Sequence, residues 1–239
     1  MTNSLTTPMA TARALRLVLE YAGLDFEVEE GPVPGGCRLR LAASVAHPWT
    51  HGDVRAHLLA EGITADVEHL APASSPGHEL ILTLPSKPEV RAIGRLLETG
   101  FAEAQNAALH LHRAFARLGV ERHVDIQTVG SLSLIDIGLF DTDAAALLYR
   151  GLGGDESALC AIDLGDWHDH ERFAQKLERV ISATGPVLLL ESVPTCGHCR
   201  GGHGGNRIRF DYLDVDDALL LSDALFRAAV AVGPAEERP

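Results

Sequence analysis

Cys196-Gly197-His198-Cys199, followed by Arg200-Gly201-Gly202-His203-Gly204-Gly205-Asn206, gathers two thiols and two imidazoles within eight residues. Cysteines separated by two residues let one turn of backbone present both thiolates to a zinc ion at ~2.3 Å. His203 or His198 supplies a further ligand, and the glycines let the backbone fold tightly around a metal. A last ligand has to come from elsewhere in the chain. Without a metal, the same residues are a Gly-rich loop that carries two thiols, of the kind that often covers a binding site.

A second cluster is Asp163, Asp166, His168, Asp169 and His170. A carboxylate beside an imidazole fixes its tautomer and raises its basicity, so Asp166 could orient His168 or His170 as a general base. The competing reading makes Asp166 or Asp169 a helix cap and leaves the histidines in water. Asp136 stands in an apolar run (Leu132, Leu134, Ile135, Ile137), where a buried carboxylate would be an acid or a ligand anchor. Strand alternation could equally put it on a wet face. Asn206, Arg207 and Arg209 can clamp a carboxylate, phosphate or sulfate beside exposed backbone N–H groups. His47 flanks the turn Pro48-Trp49, a position suited to facing a ligand.

The stretch Gly185-Pro186-Val187-Leu188-Leu189-Leu190-Glu191-Ser192-Val193-Pro194-Thr195-Cys196-Gly197-His198-Cys199 resembles the active-site strand and motif of the protein disulfide isomerase branch of the thioredoxin family. The resemblance implies thiol–disulfide exchange at Cys196 and Cys199. This chain departs from the family in having Thr195 where an aromatic is expected. It also places four glycines where the family starts a helix, and only 40 residues follow Cys199. A nucleobase-deaminase zinc site fails, because Thr195 separates Pro194 from Cys196 and position 170 is histidine rather than glutamate.

The elements that must position these residues follow from periodicity. Leu15, Val18, Leu19 and Ala22 give a helix from Thr11 to Ala22, stopped by Gly23. Leu24–Glu30 and Cys37–Ser44 alternate as a hairpin whose wet face sets glutamates against arginines. Thr50-x-x-Asp53 opens a short helix, Thr64–Leu70 and His78–Leu84 read as strands, and Ser86-x-x-Glu89 with Pro88 starts a helix. Helical spacing then continues to Gly119, an unusually long helix that Gly94 and Gly100 could bend or open to a close neighbour. In the second half, Val124–Val129 and Leu132–Leu139 form a hairpin and Asp141 caps a helix. Ala158–Leu164 reads as a buried strand and Asp169–Ala183 as a helix. Pro186–Ser192 and Arg207–Leu213 read as strands, and a last helix covers Val215–Val232.

The fold class expected is α/β (α+β), with a mixed or largely antiparallel sheet, helices packed on it and two duplicated hairpin–helix halves. The halves would divide as residues 1–120 and 121–239. Under that duplication, the loop Ala71–Gly77 corresponds to Pro194–Asn206.

A net charge of −13 repels phosphate backbones and anionic lipid, so neither nucleic acid nor membrane is expected as a partner. No stretch of eighteen apolar residues occurs, the N-terminus has no secretory pattern, and four scattered cysteines make no disulfide framework. A cytoplasmic protein is the expectation, with a homodimer left open. No nucleotide-cofactor motif occurs, because the glycines precede a strand rather than a helix. The function expected is an enzyme that moves protons on a small anionic molecule by elimination, cyclisation or hydrolysis, where the loops after Leu164 and Ser192 converge. The competing expectation is a non-catalytic binding or regulatory module.

Overall fold

The computed structural model describes residues 8–42, 51–70, 79–164, 166–193 and 205–232, which fall into two compact units meeting at Phe101/Ala102. Among the described residues, helices and antiparallel sheets make a mixed α/β fold. No helix among the described residues is long and apolar enough to cross a membrane.

The N-terminal unit runs α1 (Pro8–Tyr21), β1 (Phe26–Glu30), β2 (Cys37–Ala42), α2 (His51–Ala60), β3 (Asp66–Leu70), β4 (Glu79–Leu84) and α3 (Lys87–Thr99). Its four strands are antiparallel in the order β1-β2-β4-β3. Alternation puts Leu39, Leu41, Leu80 and Leu82 on the inner face, where Leu15 and Leu19 of α1 and Val90 and Ile93 of α3 cover them. The wet face carries the expected pairing in part. Arg40 meets Glu27 at 3.0 Å, whereas Arg38 lies 3.6 Å from Glu68 on β3. Gly36 comes so close to β4 that a Cβ there would lie 2.4 Å from the Leu84 carbonyl oxygen.

The helix expected to continue to Gly119 is two helices. α3 ends at Thr99 and α4 (Glu103–Arg117) begins after Gly100, Phe101 and Ala102. The Gln105 side chain accepts the Ala102 N–H at 2.8 Å and so caps the new start. A break shorter than one turn scarcely shifts the apolar period, so spacing alone did not reveal it.

The C-terminal unit continues with β5 (Asp125–Val129), β6 (Leu132–Asp136), β7 (Leu139–Asp141), α5 (Thr142–Gly151), α6 (Glu156–Cys160), α7 (Trp167–Ser182), β8 (Leu190–Val193), β9 (Arg207–Phe210) and α8 (Val215–Val232). β5 pairs with β6, and β7-β9-β8 form a second antiparallel set. One register joins them. Ile135 and Leu213 exchange hydrogen bonds of 2.8 and 3.0 Å, Phe210 N donates to Gly138 O, and Leu139 pairs with Arg209. β6 and β7 are thus one strand bent at Gly138, and the connected order is β5-(β6/β7)-β9-β8. That is the order of the N-terminal unit repeated, with α4 packed on α8 as α1 is packed on α3.

Two elements differ from expectation. Ala158–Leu164 is not a strand: Asp155 accepts the Ser157 N–H at 2.9 Å and caps the short helix α6, and turns follow. Among the described residues no strand leads into α7, so the loops after Leu164 and Ser192 do not leave neighbouring strands together as expected. The strand expected from Pro186 starts only at Leu190.

Candidate functional site

Asp166 is the N-cap of α7. Its Oδ1 accepts the His168 N–H at 3.0 Å and the Asp169 N–H at 3.2 Å, so it is committed to backbone rather than to an imidazole. His168 is exposed, whereas His170 is fully buried. Residues two apart on a helix point ~200° apart, so the two rings face different surroundings. The Asp163 N–H, followed by the Arg172 guanidinium at 2.8 Å, holds the Asp169 carboxyl below its usual range.

His170 joins three elements. Its Nδ1 lies 2.5 Å from Ser192 Oγ on β8, and its Nε2 lies 3.4 Å from Thr142 Oγ1 at the start of α5. Thr142 donates its hydroxyl hydrogen to the Asn206 carbonyl oxygen at 2.8 Å. That leaves Thr142 Oγ1 to accept, so Nε2 carries the proton and Nδ1 accepts from Ser192. Burial pushes the imidazole pKa down, which keeps the ring neutral.

Asp136 is half-buried, opposite Asp125, and its Oδ1 accepts the Gly138 N–H at 2.8 Å. Asp136, Arg207 and Arg209 all line one cavity of about 1180 Å³. Asn206 contributes its carbonyl to Thr142 and is not among the lining residues. His47, Cys196, His198, Cys199 and His203 lie outside the described residues. β8 and β9 are antiparallel partners, so the segment carrying Cys196 and Cys199 is a hairpin connection.

The cavity covers the solvent face of β7-β9-β8 at the bend and extends past β8 to α7. Sequence reasoning did not single out Arg122, Trp167, Leu189 or Tyr212, all of which line it. Trp167, Leu189 and Tyr212 are 36%, 66% and 52% exposed, unusual for such large side chains. Arg122 Nε donates to Ile137 O at 2.8 Å, and its guanidinium lies 5.5 Å from the centre of the Phe140 ring. Glu171 and Gln175, one turn apart on α7, form the far wall.

Among the described residues β8 is an edge strand. Leu189, Leu190, Glu191 and Ser192 line the cavity in succession, although alternate side chains face opposite sides of a sheet. The cavity therefore runs along the strand's free edge. Asp211 N donates to Leu189 O, so residues 189, 191 and 193 point their backbone groups at β9. Those of Leu190 and Ser192 point to the free edge. Leu190 N duly donates to the Glu178 carboxylate at 3.1 Å.

No family model and no curated protein matches this chain. Among solved structures, it is similar to I-DmoI in complex with DNA and Mn, at 12% identity, covering 91% of this chain and 96% of that one, with a TM-score of 0.24. I-DmoI in complex with DNA and Ca gives 13% identity, 86% and 85% coverage, and a TM-score of 0.23. Scores at this level establish no shared fold and carry no activity across. The expectation of a small-molecule proton-transfer enzyme does not stand on its own residues: Asp166 is spent capping α7, His168 is exposed and His170 is buried, so the three do not converge on one site. The exclusion of nucleic acid falls with it, since a net charge describes the whole surface and not the local field of one face.

Proposed function

We propose that this protein binds an extended polypeptide segment, which adds as a strand to the free edge of β8 in the C-terminal unit. The observation that carries this reading is the edge strand whose consecutive residues 189–192 border a cavity walled on its far side by α7. Strand addition draws affinity from main-chain hydrogen bonds and specificity from flanking side chains. Here the Ser192 N–H and C=O offer the main-chain bonds. Trp167 and Leu189 offer apolar contact, and Glu171, exposed on α7, favours a basic residue on the ligand, whereas Glu191 is paired with Arg209.

A zinc ion on Cys196, Cys199, His198 and His203 belongs to the same proposal. It would staple the β8–β9 connection beside the groove, and its support is the ligand spacing in the sequence. A cytoplasmic location is also proposed, supported by the exposed free thiol of Cys160.

The test is selection of displayed random peptides on the full chain, followed by affinity measurement and amide exchange on the complex. Basic, extended peptides that slow exchange at Ser192 are expected, with Trp167→Ala weakening them about tenfold or more, as for an aromatic interface anchor. Failure to select any peptide would overturn the reading. So would a DNA duplex that binds and protects the same residues.

A further inference from the structure

His170 ties together the two walls of this groove. Its ring is fully buried between α7, which carries Trp167 and Glu171, and Ser192 of β8, whose backbone faces the ligand edge. Among the described residues, the hydrogen-bond partners of the ring are neutral: Ser192 Oγ, Thr142 Oγ1 and, through Thr142, the Asn206 carbonyl. Phe173 stands edge-on at 6.5 Å.

The charged groups on the surrounding elements are engaged elsewhere or face water. On α7, Asp166 caps the helix, Asp169 holds Arg172, Glu178 accepts from Leu190 N, and Glu171 is exposed. On β8, Glu191 is exposed and 3.8 Å from Arg209. On α5, Asp141 accepts the Ala144 N–H while Asp143 and Arg150 are exposed, and Arg207 at the start of β9 is exposed. Among the described residues, no carboxylate therefore awaits a protonated ring in its buried place.

We propose that His170 is an acid-released latch for the peptide groove: protonation drives the ring out from between α5 and β8, frees Ser192, and loosens the strand edge on which the peptide docks. This rests on the reading of β8 as the docking edge. The neutral ring accepts the Ser192 hydroxyl hydrogen; the charged ring would have to donate at both nitrogens and remain uncompensated among neutral groups. Water offers the charged ring a better environment, so opening and proton uptake are linked.

Two measurements test it. In the peptide-free protein, amide exchange at residues 190–193 is followed from pH 8 to pH 5, together with the His170 ring resonance. The expected result is a protection factor, taken against the intrinsic slowing of amide exchange in acid, that falls below pH 6.5 by up to about tenfold per pH unit and levels off where the His170 ring itself titrates. Exchange of these amides that shows no excess acid dependence over the rest of the unit overturns the latch, whatever the peptide result. In the second measurement, a selected basic peptide is titrated against the wild type and His170→Gln, an uncharged replacement that can still donate and accept. Affinity should fall with acid in the wild type and stay level in the variant. An equal fall in both overturns the latch while leaving the docking edge intact; no binding at any pH removes the docking edge but leaves the exchange test standing. Should His170→Gln fail to fold, the exchange measurement on the wild type alone decides.

Discussion

Arg122 lies against Gly138: a Cβ on Gly138 would sit 2.4 Å from the Arg122 Nη2. Gly138 also has a φ of +74°, the left-handed region that costs other residues strain. Both conditions occur at the bend between β6 and β7, where Arg122, Asp136 and Gly138 line the cavity. Gly138→Ala should therefore cost about 1–3 kcal/mol, through strain and displacement of the arginine. Denaturant unfolding followed by Trp167 fluorescence, in a Trp49→Phe background, reads the C-terminal unit alone. Adding Arg122→Ala should recover the steric part and leave the strain. Full additivity of the two losses would show that the close approach does not matter.

Asp166 offers a clean separation between two roles assigned to one residue. As a cap, its replacement by Ala removes the acceptor of the His168 and Asp169 N–H groups and should cost ~1 kcal/mol. Asp166→Asn or Asp166→Ser, which retain a capping oxygen, should restore most of that loss. An orienting role toward an imidazole needs the carboxylate charge, so Asp166→Asn and Asp166→Ser would then be as costly as Asp166→Ala.

Much of the architecture was legible in local pattern. Phe26, Val28, Leu39 and Leu41 alternate because one face of their hairpin is buried, and periodicity reports burial directly. Where the structure departs from the pattern, the deciding interaction was a single side chain. Asp155 turned the apolar run after it into a helix, and Gln105 restarted one that spacing had run together. The candidate site was less legible, because it is made by tertiary placement. Asp136, Arg207 and Arg209 drew notice for their residue types, and they meet only because β6/β7 bends at Gly138. Trp167 and Tyr212 gave no signal: an aromatic in a sequence reads as core, and only the folded chain shows these two in the open.

The buried imidazole fixes the sign of a pH effect on stability. Desolvation lowers the folded pKa of His170 below its ordinary value of 6.5, so between those two values the unfolded chain binds the extra proton. Stability is complete above pH 6.5 and is lost as pH falls toward the folded pKa, at roughly 1.4 kcal/mol per pH unit. Asp169, whose pKa is also lowered, acts in a separate window below 3.8. Unfolding midpoints of the wild type and His170→Gln between pH 8 and 5 should diverge below 6.5, with the variant the flatter. Parallel curves would mean that the ring does not titrate through unfolding.

The connection between β8 and β9 starts from a closed base, since Val193 pairs with Arg207. Holding the ends together removes part of the loop-closure entropy that a zinc ion would otherwise have to offset, which favours binding by Cys196, Cys199 and their neighbouring histidines. Native protein purified without chelator should carry about one zinc per chain, and Cys196→Ser with Cys199→Ser should lose it. Because the thiolates and imidazoles must be unprotonated to coordinate, acid competes with the metal, and release should set in as pH falls below the neutral range. Elemental analysis across pH, with unfolding midpoints taken beside it, checks both points. A metal-free protein whose midpoint is unmoved by the double substitution would leave Cys196 and Cys199 as passengers in a glycine-rich hairpin connection.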